Sequence, residues 1–254
     1  MPLGKAAPFD HPEFLFELKY DGFRAIAVAE HGRCTLYSRN GNAFASFSAL
    51  AAGVADHLMF CRVVLDGEIV CLDRNGCPQF NELLFRRGEP RFVAFDLLFL
   101  NGKDVRPERL IDRKMELRRL LGQAESPVVY ADHIDAAGVA LFKKACEYDL
   151  EGVVAKHKHS PYAPNAQTTW FKIRNRSYSQ WAGRHELFER ERHQEPVPGW
   201  HACTFAAEQQ ESRTVRPSWP SRPRKAPLRN RRLIEDLGWG KVPSAPRTPT
   251  TPLA

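Results

Sequence analysis

The chain has 254 residues with 43% hydrophobic and 11% aromatic content, enough for one large or two small domains with a packed core and too apolar for wholesale disorder. No run approaches the roughly 18 apolar residues of a membrane helix, and MPLGKAAPFDHPEF lacks the basic-then-apolar layout of a secretory leader, so a cytoplasmic protein with no membrane partner is expected. The net charge of +7 is concentrated late: from Cys203 onward ten Lys or Arg face four Asp or Glu, giving +6, which reads as a basic tail suited to nucleic-acid phosphates or, equally, as a solvated terminus.

In chain order, Phe14 to Lys19 comes first as an alternating strand. Phe14, Phe16 and Leu18 share one face, for a core, while Glu17 and Lys19 share the other. An amine and a carboxylate would then look into one pocket, with Asp21-Gly22 turning the chain and Arg24 returning. A covalent lysine nucleophile fits this layout, and so does a half-buried edge strand with surface charges. Strands over 24–30 and 33–39 flank His31-Gly32 as a hairpin, completing a three-stranded antiparallel meander with the first strand. Phe47, Leu50, Val54 and Leu58 at helical spacing predict a helix over 44–58. An apolar strand over 62–72 and another over 91–100, closed by Asn101-Gly102, follow. Helices are predicted over 107–121 and 135–149, the second capped by Asp135, and the last strands over 152–156 and 169–173. The six cysteines form no C-x-x-C pair and read as reduced core thiols.

Charged residues recur inside these apolar strands. Glu68 lies within Val63-Val64-Leu65-Asp66-Gly67-Glu68-Ile69-Val70, where a carboxylate must be paired, hydrogen-bonded or beside a ligand. Glu151 opens the strand that Lys156 ends, and alternation puts Trp170, Lys172 and Arg174 on one face, where two cations could clamp a phosphate. A plain Glu68–Lys172 ion pair and a surface Glu151 are the ordinary alternatives.

Taken in order, Lys19-Tyr20-Asp21-Gly22-Phe23-Arg24, Leu65-Asp66-Gly67-Glu68, Phe95-Asp96-Leu97-Leu98, Glu151-Gly152-Val153-Val154-Ala155-Lys156 and Trp170-Phe171-Lys172-Ile173-Arg174 resemble nucleotidyltransferase motifs I, III, IIIa, IV and V. The wording around them is closest to the adenylation domain of bacterial ATP-dependent DNA ligases of the end-joining kind. The resemblance implies an α+β, ATP-grasp-like adenylation domain of antiparallel sheets flanked by helices over residues 10–190. Residues 191–254 would be a mostly disordered Pro/Arg-rich basic tail.

It also implies roles. Lys19 would attack the α-phosphate of ATP to give lysyl-AMP, and the AMP would pass to a 5′-phosphate at a nick for displacement by a 3′-hydroxyl. Glu17 resembles the acceptor of the adenine amino group, with Leu18 beside it in the ATP site, and Phe95 resembles the ring that stacks on adenine. Glu68 would hold the ribose hydroxyls, with Arg24 near ribose and phosphate, and Arg39 is associated with nucleotide and DNA phosphate. Lys156, Lys172 and Arg174 would gather around Lys19 and the phosphates. Glu151, with Glu68, would support Mg²⁺ or Mn²⁺. The implied partners are nicked double-stranded DNA and a DNA end-binding repair protein, in a bacterial, nucleoid-associated setting.

Two departures stand out. Motif V ends in Arg174 where the family has a second lysine. The OB-fold with its basic motif VI is expected to be missing, because no series of alternating strands follows motif V. A ligase core is therefore the leading expectation, with a non-catalytic nucleotide- or DNA-binding remnant, or an RNA ligase or capping-type nucleotidyltransferase, as alternatives.

Overall fold

Two sheets carry the fold, and the alternation of the first strand explains how they divide. The computed structural model describes residues 1, 3–122, 126–163 and 169–181. The described residues through Ser179 belong to one unit, and of a second, Gln180–Pro227, only Gln180 and Trp181 are described. The elements are β1 (Gly4–Lys5), β2 (Phe14–Leu18), β3 (Phe23–Glu30), β4 (Arg33–Ser38), α1 (Ser48–His57), β5 (Val63–Cys71), α2 (Phe80–Leu84), β6 (Pro90–Leu100), β7 (Lys103–Asp104), α3 (Leu110–Leu121), β8 (Val128–Tyr130), β9 (His133–Asp135), α4 (Gly138–Glu147), β10 (Gly152–His157) and β11 (Trp170–Arg174). No helix among the described residues is long and apolar enough to cross a membrane.

The first sheet has the order β1-β11-β10-β2-β9, and the second runs β4-β3-β5-β6-β7 with β8 on β6. All pairings are antiparallel except β1 with β11 and β6 with β8. In the first sheet Glu17 lies opposite Val154 and His133, and Leu15 opposite Lys156, which in turn faces Trp170. Because side chains alternate, Leu15, Glu17, His133, Lys156, Trp170 and Lys172 share a face. The other face sends Phe16, Ile134, Val153, Ala155 and Ile173 against Leu141 and Ala145 of α4. In the second sheet Ala25, Ala27, Leu65, Ile69, Phe92 and Ala94 pack on Leu50 and Val54 of α1 and Leu117 of α3. Arg24, Asp66 and Glu68 occupy its opposite face, by register.

The expected α+β class holds, and the expected hairpin forms with His31 and Gly32 at φ 50° and 70°, the positive values a tight two-residue turn requires. The expected meander does not form. β2 is an interior strand of the first sheet, whereas β3 and β4 belong to the second, so Lys19 to Gly22 is a crossover between sheets. Asp135 does not cap a helix: it ends β9 opposite Leu15, and α4 starts at Gly138 with Asp10 Oδ1 accepting from Val139 N at 2.9 Å. The helix expected over 44–58 divides into a 3₁₀ turn, Ala45–Phe47, and α1. The expected tail and the expected loss of an OB-fold lie outside the described residues.

A buried ion pair ties α3 to β6. Arg113 Nε and Nη2 each donate to Asp96 at 2.8 Å, with neither side chain exposed, and Nη1 donates to the carbonyls of Glu108 and Ser160. Removing one partner of such a pair strands a buried charge, a loss of about 3–5 kcal/mol. Urea unfolding should show that loss for Arg113→Met, while Arg109→Ala, which breaks an exposed pair with Asp112 on the same helix, leaves the midpoint unmoved.

Candidate active site

The polar faces of the two sheets meet where β2 ends and β3 begins. Lys19 continues the β2–β10 ladder through its N–H to the Gly152 carbonyl at 2.9 Å, which keeps its side chain on the same face as Glu17. Gly152, at φ +139° and tight against the Ile173 carbonyl, admits no side chain, so the backbones of β10 and β11 close up beneath the lysine. Lys19 Nζ donates to Glu151 Oε2 at 2.6 Å, and Glu151 is buried. Five residues on, Arg24 grips Asp66 with Nε–Oδ1 3.1 Å and Nη2–Oδ2 2.6 Å and lies 5.6 Å from the Phe95 ring centre. Tyr162 donates to the same Asp66 at 2.8 Å.

Glu68 faces Lys19 and Arg24 but also Glu151 and Asp66, and burial with those two acidic neighbours pushes its carboxyl up to about 8 against the attraction of the cations. Lys172 is shifted the other way, downward, by desolvation first and then by Arg174, Lys5 and Lys19. A cavity of about 600 Å³ opens beside this cluster, lined by Arg24, Tyr37, Arg39, Tyr162 and Lys172 among others. Arg39 and Arg174 are exposed, at the wet rim.

The opposite end of the site is dry. Glu17 is buried between two ammonium groups, Lys114 Nζ at 2.7 Å from Oε1 and Lys156 Nζ at 2.6 Å from Oε2. Burial alone would raise its carboxyl; the two lysines outweigh this and hold it below the ordinary carboxylate value. Lys156 lies 4.4 Å from the Phe95 ring centre and 4.2 Å from that of Trp170, and its contact with Glu17 lacks hydrogen-bond alignment. Burial pushes its own amine down, against the pull of Glu17.

Of the residues singled out from sequence, the structure gathers Lys19, Arg24, Glu68, Glu151 and Lys172 as charged neighbours, and Glu17 and Phe95 about Lys156. Two positions differ from expectation. Lys156 sits at the Glu17 end beneath the aromatic rings, its ammonium occupied by Glu17, because register puts it opposite Leu15 and Trp170. The Leu18 side chain is absorbed in apolar packing with Tyr20, Val70 and Val93, as the even phase of β2, opposite to that of Glu17 and Lys19, demands. The proposed Glu68–Lys172 pair is absent among the described residues. Sequence reading missed Asp66 as the partner of Arg24 and Lys114 as the partner of Glu17. The signal for Lys114 was present: with Leu110, Arg113, Leu117 and Leu121 it falls on the buried stripe of α3, where a lysine needs a partner.

Fold and site together define a two-sheet core with a strand-end lysine beside buried carboxylates and a second carboxylate, Glu17, sealed between two lysines. The family model for the ATP dependent DNA ligase domain matches residues 6–174, and the chain belongs to that family. It is 34% identical over 176 residues to the multifunctional non-homologous end joining protein LigD of Mycolicibacterium smegmatis, covering 66% of this chain and 22% of that protein. It is 30% identical over 183 residues to the SPbeta prophage-derived DNA ligase-like protein LigB of Bacillus subtilis, covering 68% and 65%. Among solved structures, mycobacterial DNA ligase D complexed with ATP and MES aligns at TM-score 0.61 and 32% identity, over 68% of this chain and 58% of that one. The chain therefore spans about a fifth of the length of the LigD protein of Mycolicibacterium smegmatis and a third of that of Bacillus subtilis.

The raised Glu68 carboxyl has a consequence for stability. Between about pH 4.5 and pH 8 the folded protein keeps a proton that the unfolded chain has released, so this group's contribution is complete below that window and is lost as pH rises through it. Thermal melts should show Glu68→Gln matching the parent near pH 4.5 and gaining an advantage that reaches ~2 kcal/mol above pH 8.

Proposed function

We propose that this chain is the adenylating core of an end-joining DNA ligase. The observation that carries the reading is Lys19, an amine at a strand end, 2.6 Å from a buried carboxylate, with a cavity lined by Arg24, Arg39 and Lys172 on one side and the buried Glu17–Lys156 pair under Phe95 and Trp170 on the other. ATP would enter with its base against Phe95 and Glu17, its ribose near Glu68 and Arg24, and its phosphates toward Lys172, Arg174 and Arg39. Lys19 Nζ forms a bond to the α-phosphorus as the bond to the β-phosphate oxygen breaks, releasing pyrophosphate and the amine's proton. An ammonium has no lone pair to give, so Nζ must first lose a proton, and the Glu151 carboxylate at 2.6 Å is within reach to take it. Cations at the wet end offset the charge that develops on the phosphates. The AMP would pass to the 5′-phosphate of a nicked duplex, and the 3′-hydroxyl would displace it. Within the whole ligase an end-binding repair protein is the expected partner.

Glu151 and Glu68 are the carboxylates that would hold Mg²⁺ or Mn²⁺. Their fit rests on the chemistry of the donors: two neighbouring carboxylates beside the strand-end amine supply the oxygen ligands a hard divalent cation prefers. When bound it would neutralise phosphate charge. The domain assignment of residues 10–190 as adenylation domain and 191–254 as basic tail forms part of this proposal.

Incubation with ATP labelled on the α-phosphate and Mg²⁺ should label the protein, with no label on Lys19→Ala and about 10²-fold slower labelling of Glu151→Ala. An unlabelled parent chain, or label surviving Lys19→Ala, overturns the reading. Excess unlabelled GTP should leave labelling unaffected, separating this core from a capping enzyme.

A further inference from the structure

We propose that Lys114, which lies on α3 outside the nucleotidyltransferase motifs, is a positioning residue that holds Glu17 as a pure hydrogen-bond acceptor and thereby sets the choice of a 6-aminopurine over a 6-oxopurine. The inference rests on the reading of Glu17 as the base-recognising group.

Lys114 is fully buried, and Nζ donates to Glu17 Oε1 at 2.7 Å and to the Ala131 carbonyl at 2.7 Å, 4.3 Å from the Tyr130 ring centre. Stability alone gives no reason for a lysine here. The site is a core position on the α3 stripe between Leu110 and Leu117, and an apolar residue would avoid the desolvation of an ammonium. Nor does charge balance require it, because Lys156 already faces Glu17 at 2.6 Å. The second cation is one more than pairing needs, and its effect falls on Glu17.

That effect is chemical. An ionised carboxylate is acceptor-only, whereas a protonated one also donates. A buried carboxyl facing a single lysine can take a proton and greet a carbonyl at position 6 of a purine. Flanked by two lysines it stays ionised, accepts from an amino group and repels that carbonyl. Lys114 also spans Glu17 and the Ala131 carbonyl, so the carboxylate is pinned to α3 and to the segment between β8 and β9 as well as to β10. Its position is held by the protein alone, with no ligand needed to fix it.

The test is the ratio of dissociation constants for ITP and ATP, which differ at purine position 6 and in the N1 proton that the 6-oxo group brings with it, measured by equilibrium binding on the full chain so that it does not rely on turnover. The parent should prefer ATP. Lys114→Met should lower that preference about tenfold, the worth of one good hydrogen bond to a charged group, and Lys114→Arg should retain it. Thermal melts report whether each variant is folded; if Lys114→Met is not, the ratio is read from Lys114→Gln, which keeps a donor for Ala131. A folded Lys114→Met or Lys114→Gln with the parent's ratio overturns the proposal. Glu17→Gln, whose amide both donates and accepts, separates the two levels. If it also keeps the parent's ratio, the assignment of Glu17 as base reader falls; if it loses the preference while the Lys114 variants keep it, only the role of Lys114 falls.

Discussion

The rest of the structure depends on the chain's passage from one sheet to the other between Lys19 and Arg24. Gly22 makes that passage possible: a Cβ there would drive into the Ile69 carbonyl and the side chains of Val70 and Glu68. Its tightness brings the last residue of the β2 ladder and the second residue of β3 to facing walls of one cleft. Lys19 therefore rides on the first sheet and Arg24 on the second, though only four residues intervene. A looser connection would separate the proposed nucleophile from the groups that receive its substrate.

The cleft formed this way is a sequence of matched charges with one mismatch. Lys19 is matched by Glu151, Arg24 by Asp66 and, behind them, Arg113 by Asp96. Such buried pairs contribute little net stability, because desolvation consumes most of the Coulombic gain, but they fix geometry strongly, since breaking one is costly. Glu68 has no ion pair of its own among the described residues and carries the raised carboxyl. At the other end, Glu17 has one lysine more than it needs. The site is thus acidic where a cation and ribose hydroxyls are proposed to enter and cationic behind the position proposed for the base amino group. In the proposed reaction that polarity would orient the nucleotide before any covalent step.

Much of this was readable from the residues alone, for definable reasons. Period-two alternation assigned Phe16 to a core and Glu17 and Lys19 to the opposite face, and the structure agrees because β2 is covered on both faces, by α4 packing and by the site. The hairpin at His31-Gly32 followed from turn chemistry. What alternation could not reveal is which strands pair: the same pattern suits a meander or two separate sheets, and only long-range register decides. Asp135 carried a helix-cap signal, yet pairing opposite Leu15 won, and a distant Asp10 caps α4 instead. Phe95 was assigned by motif, but its projection into the cleft comes from a bulge in β6, where Asp66 pairs with Asp96 and Gly67 with Ala94, leaving Phe95 as the extra residue. A bulge of that kind leaves no mark in hydrophobic periodicity.

Lys156 and Lys172 show how one sheet face supports two kinds of lysine. They sit on neighbouring antiparallel strands, with Lys172 opposite Val154 and Lys156 opposite Trp170. Lys156 is sealed under Phe95 and Trp170 against Glu17, in a low-dielectric setting where salt screens little. Lys172 is half-exposed at the cavity beside Arg24 and Arg39, where its charge is screened by solvent and ions. Both are shifted downward, Lys156 chiefly by burial and Lys172 by desolvation together with the cations crowding it. The proposed base recognition at the dry end should then be nearly indifferent to ionic strength, and the proposed phosphate attraction at the wet end sensitive to it. Two residues of register between neighbouring strands separate the sealed lysine from the half-exposed one.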